Sequence, residues 1–173
     1  MKLSSRTCIG LLILLIAANS TAQTYPSKSV RMVVPFAAGA GSNDIMARLI
    51  AQKLSDSFGQ QFVVDNRPGA SGIIGTDIVA KAQADGYTVL MMSLTYSVLP
   101  SLFRKLPYDT LKDLTPVTMV ASAPLMLVVN PSLPVKSVAD FIAYAKVNPG
   151  KLNFGSGGAG ATPHLAGEML KSM

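Results

Sequence analysis

Two segments of this 173-residue chain place the same residue types in the same order. The first is Val33-Val34-Pro35-Phe36-Ala37-Ala38-Gly39-Ala40-Gly41-Ser42-Asn43-Asp44, and the second is Asn153-Phe154-Gly155-Ser156-Gly157-Gly158-Ala159-Gly160-Ala161-Thr162-Pro163-His164. Each runs from a strand-like apolar stretch through a glycine-rich loop into a helical pattern. The first turn of a helix carries unpaired N–H groups and the positive end of the helix dipole. Glycines let the backbone come close to a ligand and adopt positive φ. Such a loop suits a carboxylate or a phosphate. One such loop is equally well a tight strand-to-helix turn; two on one chain, with little else polar nearby, point to a bound anion.

Other chemistries are poorly served. Gly155-Ser156-Gly157-Gly158-Ala159-Gly160 fits the G-x-G-x-x-G dinucleotide pattern, but its acidic partner about 20 residues on would fall past Met173. No Walker lysine follows either loop, and no G-x-S-x-G elbow surrounds Ser71 or Ser156. One cysteine and one histidine cannot assemble a Cys/His zinc site. No cofactor or metal is expected. The alternative function is an exported hydrolase using Ser156 or Ser42 with His164, which needs a buried acid behind the histidine. At a helix N-terminus, His164 reads rather as a ligand contact or a capping group. Asp44 and Asp77 read as helix first-turn or surface carboxylates, not as a catalytic pair.

The N-terminus has the pattern of an export signal. Lys2 and Arg6 precede an apolar run from Ile9 to Ala18, and Ser20-Thr21-Ala22 supplies small residues for cleavage after Ala22. That run is about half of the ~20 residues needed to span a bilayer. Cleavage removes Lys2, Arg6 and the single cysteine, Cys8, and lowers the net charge of +6 by two. The remaining basic residues are scattered, so the charge is a mild bias toward anions rather than a nucleic-acid patch.

The elements that must carry the two loops follow from the apolar spacing. Val30–Val34 is a β-branched run and predicts a buried strand. Ile45, Met46, Leu49, Ile50 and Leu54 predict a helix capped by Ser42 or Asn43 and stopped at Gly59. Phe62-Val63-Val64 predicts a second strand, Ile73 to Ala84 a second helix, and Tyr87 to Met92 a third strand. Strand, helix, strand, helix, strand is the rhythm of a parallel sheet with helices on both faces. After Pro100 the chain becomes irregular. Val117 to Val129, divided by Pro124, predicts two short strands or one broken one. Ser137 to Asn148 predicts a helix stopped by Pro149-Gly150; Leu152-Asn153-Phe154 predicts a short strand, and Thr162 or Pro163 opens a last helix. The predicted organisation is a signal peptide over 1–22, a first α/β domain over 23–121 and the start of a second over 122–173. The second has too few strands to close a core, which predicts a fragment of a longer, two-domain protein.

These segments carry a resemblance. The leader, Val-Val-Pro-Phe-Ala-Ala-Gly at 33–39, Asn-Asp-Ile-Met-Ala-Arg at 43–48, Asn-Arg-Pro-Gly-Ala-Ser-Gly at 66–72, Ala-Asp-Gly-Tyr-Thr-Val-Leu at 84–90, Leu-Pro-Tyr-Asp at 106–109, Phe-Gly-Ser-Gly-Gly at 154–158 and Pro-His-Leu-Ala-Gly-Glu at 163–168 together resemble the Bug family. These TctC-like proteins are extracytoplasmic solute receptors of tripartite tricarboxylate transporters, about twice this length. The resemblance implies a type II periplasmic-binding-protein fold, with two α/β domains, parallel-dominated sheets and a ligand between them. It implies a periplasmic, non-catalytic protein, monomeric at full length, that captures a small carboxylate for the permease subunits and binds no nucleic acid. It places the carboxylate on the loops Phe36–Asp44 and Gly155–His164. The first reads Gly-Ala-Gly-Ser-Asn-Asp here, where the family often has Gly-Gly-Gly-Thr-Asp. The expected contacts are Phe36 as an apolar wall, Ala40, Gly41, Ser42, Asn43 and Asp44 on one side, and Ser156, Gly157, Ala161, Thr162 and His164 on the other. Ser93 and Thr95, after the third strand, belong to a third loop able to reach the same cleft.

Overall fold

The computed structural model describes residues 24–39, 41–156 and 158–172. The leader over 1–22, its cleavage after Ala22, and the site residues Ala40 and Gly157 lie outside the described residues. The chain forms β1 (Val30–Val34), α1 (Gly41–Phe58), β2 (Phe62–Asn66), a 3-10 turn (Ala70–Gly72), α2 (Ile73–Ala80), β3 (Thr88–Leu90), α3 (Thr95–Leu102), α4 (Val138–Val147) and α5 (Thr162–Ser172). No helix among the described residues is long and apolar enough to cross a membrane.

The sheet of the described residues has the order β2-β1-β3, with both pairings parallel. Val30 pairs with Phe62 and Val34 with Asn66; on the other side Arg31 pairs with Thr88 and Val33 with Leu90. The chain steps out from β1 to β2 and then back past β1 to β3. With right-handed crossovers that reversal sends the two connecting helices to opposite faces. Met32 and Val34 pack on Ala47 and Ala51 of α1, joined by Ile50, Leu54, Phe62, Val64 and Val89. The helix α2 lies against β1 and β3.

Position in the sheet explains the burial. Val30, Val33 and Val34 of the central strand are wholly buried, as the β-branched run predicts. The apolar runs of β2 and β3 were expected to be covered on both faces too. Both are edge strands instead: Val63 is half exposed and β3 is only partly buried. Asp65 occupies the edge of β2 because Arg31 and Arg67 meet its carboxylate.

Three expectations need correction. The helix over 73–84 ends at Ala80, where the Lys81 and Ala82 N–H groups bond back to the Asp77 and Val79 carbonyls and close the last turn. Thr95, expected in a third loop, and Pro100, after which the chain is expected to be irregular, both lie in a helix, Thr95–Leu102. Ser93 makes this start workable, since its hydroxyl and carbonyl accept from the Thr95 and Tyr96 N–H groups. Lastly, 117–129 and 152–154 form no strand. Val117, Met119, Met126 and Val128 are largely exposed. A strand exists only by pairing, and no described segment lies alongside these residues to pair with them. The capped helix at 138–147 forms as its sequence requires, with the Ser137 hydroxyl accepting from the Asp140 N–H.

Candidate functional site

The parallel sheet gathers the loops that leave the carboxyl ends of its strands, the place where open α/β sheets bind ligands. The loop after β1 (35–41) turns on Gly39 and Gly41, with φ of 73° and 77°. The loop after β2 (67–72) packs beside it: a Cβ on Gly72 would stand 3.4 Å from Pro35 Cβ, and one on Gly75, at the start of α2, 2.8 Å from the same atom. The loop after β3 carries Ser93 and Thr95 into α3.

A side-chain clamp fixes the first loop. The Asp44 carboxylate accepts from the Gly39 N–H at 2.8 Å, from Asn66 Nδ2 at 2.8 Å, and from Arg48 Nε at 2.9 Å and Nη2 at 3.2 Å. Asn66 closes the network, donating to the Phe36 carbonyl and accepting from Arg48 Nη2. The Arg48 guanidinium, the Asn66 amide and the Gly39 N–H together hold the Asp44 carboxyl down at about 2. Asp44 is thus a helix first-turn carboxylate, as expected, but it is 2% exposed rather than at the surface. Its ion pair with Arg48 offsets a negative charge that would otherwise oppose an incoming anion. Gly41 and Ser42 remain exposed and Asn43 half-buried at the start of α1, while Phe36 packs onto the Met32–Val34 core.

The second glycine-rich loop reaches the same end of the sheet. The Ser71 hydroxyl donates to the Ala159 carbonyl at 2.9 Å. Gly160 is buried, with φ of 79°, and a Cβ there would come within 2.6 Å of Leu102 Cδ1 and 4.0 Å of Thr95 Cγ2. Segments 88 residues apart are therefore neighbours, and Thr95 from the third loop lies beneath Gly160. Ser93 and Thr95 bond to each other through their hydroxyls at 3.1 Å. Thr162 opens α5 and is half-buried beside Ala161, whereas Ser156 is exposed.

His164 caps the loop. Its Nδ1 accepts from the Gly160 N–H at 3.4 Å, and its ring lies 6.2 Å from that of Phe154. Among the described residues no carboxylate and no serine hydroxyl is hydrogen-bonded to it; Ser156 Oγ accepts instead from the Gly158 N–H. The relay that a hydrolase needs is not assembled.

Arg48, Asn66 and Ser71 were missed as functional residues from the sequence. Asp44 and Arg48 stand four apart on a helix, which is a readable ion-pair spacing. The contribution of Asn66 depends on strand register, and that of Ser71 on tertiary contact, so neither has a local signal.

Comparison with known proteins follows this geometry. Residues 46–173 match the family described as tripartite tricarboxylate transporter family receptor. The chain is 47% identical over 158 residues to Protein BugT of Bordetella pertussis, covering 90% of this chain and 48% of that protein. The solved structure of R. palustris Rpa4515 with adipate superposes with a TM-score of 0.80 at 45% identity, over 86% of this chain and 50% of the other. MatC from Rhodopseudomonas palustris with bound malate superposes with a TM-score of 0.70 at 30% identity, over 85% and 51%. The chain spans about half the length of each of these proteins. The parallel α/β fold, the shared structures and the extent of the match agree with the resemblance read from the motifs, and with a family of receptors rather than enzymes. The chain belongs to the tripartite tricarboxylate transporter receptor family.

Proposed function

We propose that this chain belongs to a periplasmic receptor that captures a small carboxylate between its two glycine-rich loops and passes it to the membrane permease subunits of a tripartite transporter. One observation carries the reading: Ser71 and Gly160 bring the second glycine-rich loop against the strand-end loops of the sheet. That contact brings the second loop to the end of the sheet from which the first loop leaves, which supports reading the two as parts of one site. Backbone N–H groups from Ser42, Asn43 and Asp44 would face the carboxylate from one side, with Ala40 and Gly41 completing that loop. Ser156, Gly157, Ala161, Thr162 and His164 would supply the other side, Ser93 and Thr95 the floor and Phe36 the apolar wall. Adipate and malate, present in the two matched structures, support a ligand class of short acids with carboxylates that helix N-termini can hold.

The division into a leader over 1–22, a first domain over 23–121 and a second beginning at 122 is part of the same proposal, as is the monomeric state. Calorimetric titration with adipate, malate, citrate and glutamate tests the binding reading. Saturable binding of at least one acid by the full-length receptor at micromolar concentration, about −8 kcal/mol, is the expected result, with very weak binding at best by the 173-residue chain alone. No binding of any of these acids by the folded full-length receptor would refute it. Mass spectrometry of the exported protein tests the leader, and an N-terminus at Met1 would overturn it.

A further inference from the structure

The turn after β2 holds an unusual run of backbone angles: φ is 132° at Gly69, 46° at Ala70, 56° at Ser71 and 92° at Gly72. Among the described residues, Ala70 and Ser71 are the only non-glycine residues with positive φ. A side chain in this region meets its own backbone, and two in succession persist only where the surroundings hold them. Here the surroundings act from both sides. Below, Gly75 lets the turn sit on Pro35 and the Arg67 carbonyl, at distances where a Cβ would be 2.8 and 2.9 Å away. Above, Ser71 Oγ donates to the Ala159 carbonyl at 2.9 Å. The next residue, Gly160, fits against Leu102 only because it has no side chain.

The left-handed conformation of Ser71 sets where its hydroxyl points, and that hydroxyl ties down a loop 88 residues away. The loop in turn covers Thr95, which is 3% exposed. We infer that the Gly69–Gly72 turn is a latch: Ser71, held in the left-handed conformation, fastens the second glycine-rich loop over Thr95 and so governs access to the carboxylate site. This rests on the receptor reading above and adds a gate to it. Breaking the Ser71–Ala159 bond frees the loop, and the turn relaxes as the loop lifts. Latched protein must open before a ligand reaches Thr95, so the latched fraction lowers apparent affinity and association rate.

Amide hydrogen exchange on the full chain, with and without adipate, tests the latch. Ser71→Ala should raise exchange at 158–161 about five-fold, the population shift that one intramolecular hydrogen bond carries, with β1 unchanged. Ser71→Asn should restore protection, because asparagine tolerates the left-handed region and its amide can donate to Ala159. Gly160→Ala, which pushes the loop off Leu102 from the other side, should raise exchange at the same amides without touching Ser71. Adipate association, followed by stopped flow, should be faster in Ser71→Ala. Wild-type exchange at 158–161 in both Ser71→Ala and Gly160→Ala would overturn the latch even if adipate binds. Raised exchange in those variants with no adipate binding to any form would uphold the Ser71 tie to the loop but refute the receptor reading, and with it the gate built on that reading.

Discussion

In the loop between β1 and α1, a buried carboxylate, a guanidinium and a side-chain amide make six hydrogen bonds to one another and to the backbone. In the loop before α5, the bond to a distant segment comes from the Ser71 hydroxyl, and the others are local, among them His164 Nδ1 accepting from the Gly160 N–H at 3.4 Å. The two loops share their sequence design but not their mechanical support. The first is wired into a sheet whose central strand buries Val30, Val33 and Val34 completely. The second hangs between helices that bury no residue completely. A loop fixed by a network presents its N–H groups in a preset array; a loop held by one or two bonds can move. A receptor that must both recognise a ligand and close around it has use for one of each.

The largest effect that would break this contrast is a core truncation compared across the two regions. Leu99 is fully buried and Val147 is 75% exposed. Leu99→Ala should cost about 2–5 kcal/mol through lost burial and a residual cavity. Val147→Ala should stay within about 0.5 kcal/mol. Denaturant titrations of both variants give the comparison, and a comparable loss in the two would show that the second region has a core of its own.

The clamp itself comes next. Asn66→Ala leaves the Phe36 carbonyl and Asp44 each short of a donor, for a cost of about 1–3 kcal/mol, and should loosen the Gly39 amide in hydrogen exchange. The same clamp gives an acid signature. Because Asp44 titrates lower in the folded chain, at about 2, than its ordinary 3.8, its contribution is complete above pH 4 and is lost as pH falls toward 2. Melting temperature measured over that range should therefore fall less steeply in Asp44→Asn than in wild type. Parallel curves would show that the clamp adds nothing to acid stability.

What could be read from the sequence divides along the same line as the structure. The strand 30–34, the strand that begins at Phe62 and the helix that stops at Gly59 are local patterns, so periodicity and glycine stops found them, although β2 runs on to Asn66 and α1 begins at Gly41, ahead of the expected caps Ser42 and Asn43. Gly59, with φ of 66°, ends α1 where its sequence position indicates. The apolar run 117–129 has the composition of a strand but lacks a pairing partner among the described residues, and composition cannot supply one. The two glycine-rich loops were legible because glycine patterns are local. The Asn66 and Ser71 contacts were not, since each depends on which segments the fold brings together. Helix α3 was missed for a related reason: Pro100 reads as a breaker, yet it lies two residues before the helix ends, and its missing N–H costs only the one bond back toward the Tyr96 carbonyl.

Within the second region, Ser137→Ala removes the hydroxyl that accepts from the Asp140 N–H, a cap generally worth about 1 kcal/mol. Against a sparsely packed background that local loss should fray α4 without spreading to β1. Exchange data resolving 138–141 separately from 30–34 would show this, and equal deprotection of both would mean that the two regions fold as one unit.

The smallest structural effect, and the one that separates support from recognition, is expected at His164. Its Nδ1 takes the Gly160 N–H at 3.4 Å, near the limit of a hydrogen bond, and its ring stands at a centroid distance of 6.2 Å from Phe154. Neither contact is strong. If the imidazole mainly held the loop in place, Ser71 and the fit of Gly160 against Leu102 would still position the chain, so His164→Ala should change stability by less than about 0.5 kcal/mol. The proposed role in recognition asks more of it, because an imidazole at the entry to α5 can donate to a carboxylate oxygen. On that role adipate affinity should drop about ten-fold, or roughly 1.4 kcal/mol, while the melting curve stays where it was. Calorimetry and thermal melts on the same preparation decide between the two. A melting loss as large as that of Asn66→Ala would make His164 a support of the loop, and unchanged adipate binding would remove it from the site.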